Sequence, residues 1–336
     1  MATWEKEEII LADGEKEKAQ MPVIVSASRS TDIPAFYPDW FMERLKIGYL
    51  RWRNPFNPKD PLLVSFKKTR LIVFWSKNPA LLIPHLDELE KIVPNYYFQY
   101  TLNDYDAERI EPRVPPLKQR IETFVRLSER LGRDRVVWRF DPLMLTDTLN
   151  VKGLLEKIER VGDCISEYAG RFVFSFIDID VYKRKVAGNL AAGGISAREF
   201  SGEEMLELAD GVGRLVKAWG IPAGTCAEDL PLEQFGIEHN RCVDDRLMIK
   251  CFSHDSVLMN HIGAEQDMFG EWHFVKSKKD SGQRKACGCI GSKDIGEYNT
   301  CPHLCHYCYA NTNNSEALAN WKRHQTCPHA ETITGK

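Results

Sequence analysis

No apolar run in this 336-residue sequence approaches the roughly 20 positions that a helix needs to cross a bilayer. The N-terminus, Met1-Ala2-Thr3-Trp4-Glu5-Lys6-Glu7-Glu8, lacks a basic region followed by an apolar one, so no secretory leader is expected. An excess of one charge is missing too: 45 Lys and Arg stand against 48 Asp and Glu, a formal net charge of -3 that gives no general pull toward polyanions. Cysteine is almost absent before residue 220, where Cys164 stands alone among the ten. These absences predict a cytoplasmic protein with no membrane partner. In that reducing compartment, thiols crowded into one end serve metal binding or catalysis rather than disulfides. A hydrophobic content of 43% leaves material for a sizeable core.

What is present is an alternation of short apolar runs with helical patterns, the signature of βα units on a parallel sheet. After an arm that reads as a hairpin about Asp13-Gly14, the predicted strands are Val23–Ser26, Leu71–Trp75, Tyr96–Thr101, Val136–Phe140, Phe172–Ile177 and Ile221–Thr225. One predicted helix carries Leu117, Ile121, Phe124, Val125 and Leu131 on one face after Pro115-Pro116. Others carry Leu154, Leu155, Ile158, Val161 and Ile165, with Cys164 as a small core residue at the edge, or Met205, Leu208, Val212, Leu215 and Trp219. Between Tyr49 and Phe66, two apolar pieces flank Asn54-Pro55-Phe56-Asn57-Pro58, an inserted hairpin or loop. The expected fold class is α/β, a partial or complete (β/α) TIM-like barrel. The expected organisation is an N-terminal arm over 1–20, the barrel over 21–250 and a cysteine-rich segment over 251–336 packed on it.

Barrel active sites gather at the carboxyl ends of the strands. Those ends read Ser28, Arg29, Ser30, Thr31 and Asp32, then Ser76, Lys77 and Asn78, then Asn103 and Asp104, then Arg139 and Asp141, then Asp178 and Asp180, then Thr225, Cys226 and Glu228. Any one of these is an ordinary helix cap or surface residue. Together they describe a mouth built for something polar, with Arg29, Lys77, Arg139 and Asp141 as the candidate catalytic residues. Trp75-Ser76-Lys77-Asn78-Pro79 and Trp138-Arg139-Phe140-Asp141-Pro142 each join an aromatic, a cation and a proline-fixed turn.

Cys301, Cys305 and Cys308 have C-x3-C-x2-C spacing, which can hold three irons of a four-iron cluster and leave the fourth open. A short strand within Ile290–Tyr298 and a helix over Ser315–Arg323 would flank this loop. Zinc is the rival, because His303, His306, His324, Cys327 and His329 lie close in sequence, and thiolate with imidazole makes structural zinc sites. On that alternative the chain is a zinc-stabilised binding or nuclease-like barrel protein with a structural Cys/His site. A second group, Cys226, Cys242, Cys287 and Cys289 with Cys251 as a spare, could ligate an auxiliary cluster, take zinc or stay free.

The loop Cys301-Pro-His-Leu-Cys305-His-Tyr-Cys308-Tyr309-Ala310 resembles that of the radical S-adenosylmethionine (radical SAM) enzymes. The resemblance implies a 4Fe-4S cluster whose open iron chelates S-adenosyl-L-methionine, a 5′-deoxyadenosyl radical acting on a small-molecule or nucleotide substrate, and an external electron donor such as flavodoxin or ferredoxin. It also implies Tyr307 as the aromatic beside adenine. The loop lies late in the chain, whereas in that superfamily it follows the first barrel strand, so the barrel is permuted or a terminal extension supplies the cluster. The glycine-rich and acidic motif after the second strand is not evident. Over nearly its full length, through Ser26-Ala-Ser-Arg-Ser-Thr-Asp-Ile-Pro34, Arg53-Asn-Pro-Phe-Asn-Pro58, Val73-Phe-Trp-Ser-Lys-Asn-Pro79, Tyr100-Thr-Leu-Asn-Asp-Tyr105 and Trp138-Arg-Phe-Asp-Pro142, the chain also resembles a prokaryotic family catalogued as domain of unknown function eighteen forty-eight.

Overall fold

The computed structural model describes residues 4–335 apart from 56, 183, 227, 229, 276, 277, 281 and 285, so Met1-Ala2-Thr3 and Phe56 of the segments read above lie outside the described residues. The fold is α/β, organised on an eight-stranded sheet. Across it the strands run Lys293–Asp294, Ile24–Ala27, Leu71–Ser76, Asn95–Thr101, Val136–Leu143, Arg171–Phe176, Ala223–Thr225 and Ile237–His239. Every neighbouring pair is parallel. The order is the chain order, except that Lys293–Asp294 stands before Ile24–Ala27 at one edge. Six of the strands match the predicted ones within a few residues. Ile237–His239 was not legible because three residues, two of them exposed, carry no apolar pattern.

The strands read as continuous apolar runs because both faces are covered, as parallel sheets require. Ile72, Phe74, Tyr96, Phe98, Val136 and Trp138 pack under the helices on one face, while Ile24, Leu71, Val73 and Tyr97 pack under the segment from Cys242 to Ile290 on the other. The helices Leu117–Leu131, Val151–Ile165 and Gly202–Trp219 form where the stripes predicted them. Asn150 Oδ1 accepts from the Gly153 N–H to start the second, and Ser201 and Glu204 form a capping box on the third. A glycine lets these two helices meet, since a Cβ on Gly162 would stand 2.1 Å from the Trp219 ring. Cys164 corrects the sequence reading: it is exposed, on the solvent side of its helix, not a small core residue. The expected division at 250 falls within the helix Asp245–Phe252.

The hairpin Lys6–Ile10 with Lys16–Gln20 turns through Gly14 at φ 90°, and it shares a four-stranded sheet with the inserted hairpin Tyr49–Asn54 and Asn57–Ser65. This small sheet is tied to the C-terminal segment: Arg51 pairs with both Glu17 and Glu331, and Trp52 Nε1 donates to the Gly296 carbonyl at 2.8 Å. Among the described residues no helix is long and apolar enough to cross a membrane.

Candidate functional site

The carboxyl ends of the strands open on a cavity of about 360 Å³. Seven of the ten cysteines line it: Cys226, Cys242, Cys287, Cys289, Cys301, Cys305 and Cys308. So do Arg29, Lys77, Arg139, Asp141 and Tyr307, which brings every candidate site residue to one wall-to-wall space. The physical cause is the sheet. Parallel strands present all their carboxyl ends on one side, and the edge strand Lys293–Asp294 delivers the cysteine loop to the same side.

Asp294 fastens that delivery. Its carboxylate accepts from Ser28 Oγ at 2.9 Å, from the Arg29 N–H at 2.8 Å and from the Gly296 N–H at 2.9 Å. Gly296 is required by the close approach, since a Cβ there would lie 1.9 Å from Ser28 Oγ. Beyond it the loop turns through Asn299 and Leu304, both at positive φ. Asn311 closes the loop from behind: its side chain donates to the Cys301 carbonyl at 2.7 Å and its N–H to Cys308 Sγ at 3.4 Å. Burial pushes the Cys301 thiol up to about 12 and raises Cys305 and Cys308 as well, so metal binding here must expel protons.

Two polar networks hold the loop against the strand ends. In the first, Asp32 accepts from Ser76 Oγ at 2.7 Å and the Lys77 N–H at 2.7 Å, and pairs with His303 Nε2 at 2.9 Å. In the second, Glu111 accepts from Lys77 Nζ and Asn103 Nδ2, both at 2.8 Å, and from the Tyr307 hydroxyl. Burial opposes the charge on Glu111, but Lys77 and Arg120 outweigh it and hold the carboxylate below its ordinary range. The same pairing raises Lys77 despite its burial. Lys77 Nζ also lies 5.3 Å from the centre of the Tyr307 ring, which fixes that ring at the cavity wall.

The opposite wall belongs to Arg139. It pairs with Asp141 and donates from Nη1 to Cys242 Sγ at 3.0 Å and to Gln99 Oε1 at 3.2 Å. Its charge holds the Asp141 carboxyl down against the effect of burial, with help from Ser175 Oγ. Cys226 Sγ lies 3.2 Å from Cys242 Sγ, Cys289 Sγ accepts from the Cys242 N–H at 3.1 Å, and Cys287 lines the same cavity. Cys251 is not of this group: it is half-buried beside Asp134 and Lys250 and does not line the cavity. Arg29 and Arg139 both lie over the Trp75 ring, at 5.2 and 5.4 Å from its centre. The Trp75 Nε1–H is buried without a hydrogen-bond partner.

Of the residues that kept zinc in play, His303 belongs to the Asp32 network, His324 bonds the Ile333 carbonyl through Nδ1 at 3.0 Å, and exposed His329 pairs with Glu43. Cys327 is exposed. Among the described residues no three Cys, His, Asp or Glu groups stand as ligands of a single metal ion. Sequence reasoning missed Glu111, which lies on the patternless stretch between Thr101 and Leu117, and Arg284, whose pairing with Asp178 spans 106 positions. It had no local signal for either.

Residues 24–310 match the family model described as Domain of unknown function (DUF1848), and the chain belongs to that family. Comparison with curated proteins and with solved structures gives no match.

Proposed function

We propose that the protein is a radical SAM-type iron-sulfur enzyme built on an open, permuted (β/α) barrel, with Cys301, Cys305 and Cys308 as the cluster ligands. One observation carries the reading: three thiols at C-x3-C-x2-C spacing sit in the loop directly after a strand of the parallel sheet, and all three line the cavity at the strands' carboxyl ends. The strand Lys293–Asp294 takes the place of the first barrel strand, ahead of Ile24–Ala27. The donor set fits the group. Three thiols suit three irons of a four-iron cluster, and a cavity of about 360 Å³ has room for a cofactor of nucleoside size.

When bound, a reduced cluster would supply one electron to the sulfonium of SAM, whose S–C5′ bond would break to give methionine and a 5′-deoxyadenosyl radical able to take hydrogen from a substrate. The chain's own residues do the rest. Tyr307, held by Glu111 and Lys77, offers an aromatic face to adenine. Asp32 and Glu111 tie the cysteine loop to the strand ends, so the cluster and the substrate wall keep one geometry. Arg29, Lys77, Arg139 and Asp141 form the polar wall that meets a small-molecule or nucleotide substrate, and the buried Trp75 Nε1–H is a donor waiting for an acceptor. A flavodoxin- or ferredoxin-type donor would supply the electron.

The test is reductive SAM cleavage by anaerobically reconstituted protein, read as 5′-deoxyadenosine. A loaded, dithionite-reduced cluster that leaves SAM intact, with an electron paramagnetic resonance spectrum that SAM does not change, would sink the assignment.

A further inference from the structure

We propose that Cys226, Cys242, Cys287 and Cys289 hold a second iron-sulfur cluster, ligated by four thiolates and facing the same cavity. The proposal goes beyond the first cluster and stands on separate residues. The four thiols come from three segments of the sequence, yet all line one cavity, with Cys226 Sγ 3.2 Å from Cys242 Sγ and Cys289 Sγ accepting from the Cys242 N–H at 3.1 Å. The parallel pairing of Ala223–Thr225 with Ile237–His239 brings the first two together, because each cysteine follows its strand on the same side. Cys226 and Cys242 stand 3.2 Å apart, well beyond the roughly 2.05 Å of a disulfide.

Hydrogen-bond donors are aimed at two of these sulfurs. Cys242 Sγ accepts from Arg139 Nη1 at 3.0 Å and from Asn240 Nδ2 at 3.5 Å, and Cys289 Sγ accepts from the N–H groups of Cys242 and Val243 at 3.1 and 3.4 Å. Donors aimed at sulfur are among the means by which proteins set cluster potentials. Arg29 gives the second observation. Its guanidinium lines the cavity over the Trp75 ring and makes one long hydrogen bond, 3.5 Å to Ser292 Oγ, while Asp294 takes its backbone N–H instead. Among the described residues no carboxylate lies within ion-pair distance of that guanidinium. A buried cation held only by a ring face and one long hydrogen bond can take a further anion, and a cluster with four thiolates is a net anion. Four thiolates also suit a single zinc ion, and the content of iron and inorganic sulfide separates the two. With every position taken by cysteine, the cluster exchanges electrons and leaves substrate binding to the rest of the cavity.

The test uses the full chain reconstituted without oxygen with ferrous iron and sulfide. Wild-type protein, in which no substitution disturbs the fold, is expected to hold clearly more than the about four irons and four sulfides of a single cluster. The Cys301→Ala, Cys305→Ala, Cys308→Ala triple variant is expected to keep iron and sulfide in equal amounts, with a paramagnetic signal that added SAM does not alter. A wild-type content of about four irons whose whole signal responds to SAM, stoichiometric zinc, or a folded triple variant without iron and sulfide overturns the second cluster. The enzyme assignment fails by a different outcome, a wild-type signal wholly indifferent to SAM, so the two failures are distinguishable.

Discussion

The two thiol sets that face each other across the cavity are built in opposite ways. Cys301, Cys305 and Cys308 fall within eight positions of one loop, and a single strand pairing delivers them. Cys226, Cys242, Cys287 and Cys289 are spread over more than sixty positions and meet only because two short parallel strands and the segment covering the sheet bring them together. A contiguous set announces its chemistry by spacing. A dispersed one can be grouped from the sequence only as scattered thiols, and the fold then shows that all four reach one cavity while Cys251 does not.

The contiguous set should be catalytically decisive. Changing Cys305 to Ala is expected to lower 5′-deoxyadenosine formation by at least about 100-fold, measured by chromatography of the quenched reaction. Retained cleavage would break the comparison outright, because it would move the chemistry away from the loop. The dispersed set is bound to the fold through Arg139, so Arg139→Gln, which leaves the buried side of Asp141 without its cation, should cost about 3 kcal/mol of stability in urea titration. A loss of a few tenths would mean that the pair is idle. On the loop side, Tyr307→Ala is expected to weaken SAM binding about 10-fold and Tyr307→Phe only about 2-fold, since the ring survives and only the hydroxyl's bonds to Glu111 and Asn103 are lost. Equal effects of the two substitutions would show that the hydroxyl, not the ring, matters.

The smallest effect sits two residues past Cys226. Burial pushes the Glu228 carboxyl up from its ordinary 4.5 to about 7, so the folded chain holds that proton more tightly than the unfolded one. Its contribution to stability is complete below about 4.5 and is lost as pH rises through about 7. Glu228→Gln should therefore gain about 1 kcal/mol over wild type at pH 8, after discounting for partial exposure, and little at pH 5. A thermal melt at the two pH values checks this, and a gain confined to pH 5 would reverse the sign.

The strands Leu71–Ser76 and Asn95–Thr101 were legible because both faces are buried and the apolar run is unbroken. The strand ends were legible as a polar list, and the cavity gathers residues from most of them. Lys293–Asp294 is two residues long and was foreseen only as part of a longer segment, since its pairing with Val25 and Ser26 leaves almost no local pattern. Glu111, His303 with Asp32, and Arg284 with Asp178 were not legible as partners. Each pair is set by chain crossings that spacing does not record. Cys164 misled because a thiol beside an apolar stripe looks like core until the helix phase is fixed.

The bond between Ser26 Oγ and Ser292 Oγ, 2.9 Å long, joins positions 266 residues apart. During synthesis the strand Ile24–Ala27 emerges early and must wait for nearly all the intervening chain before it gains its outer neighbour. The cysteine loop is thereby brought to the cavity only after the polar wall has been made. A nascent chain released short of residue 294 would leave that sheet edge bare, open to other strands and to chaperones, and would lack the cysteine loop altogether.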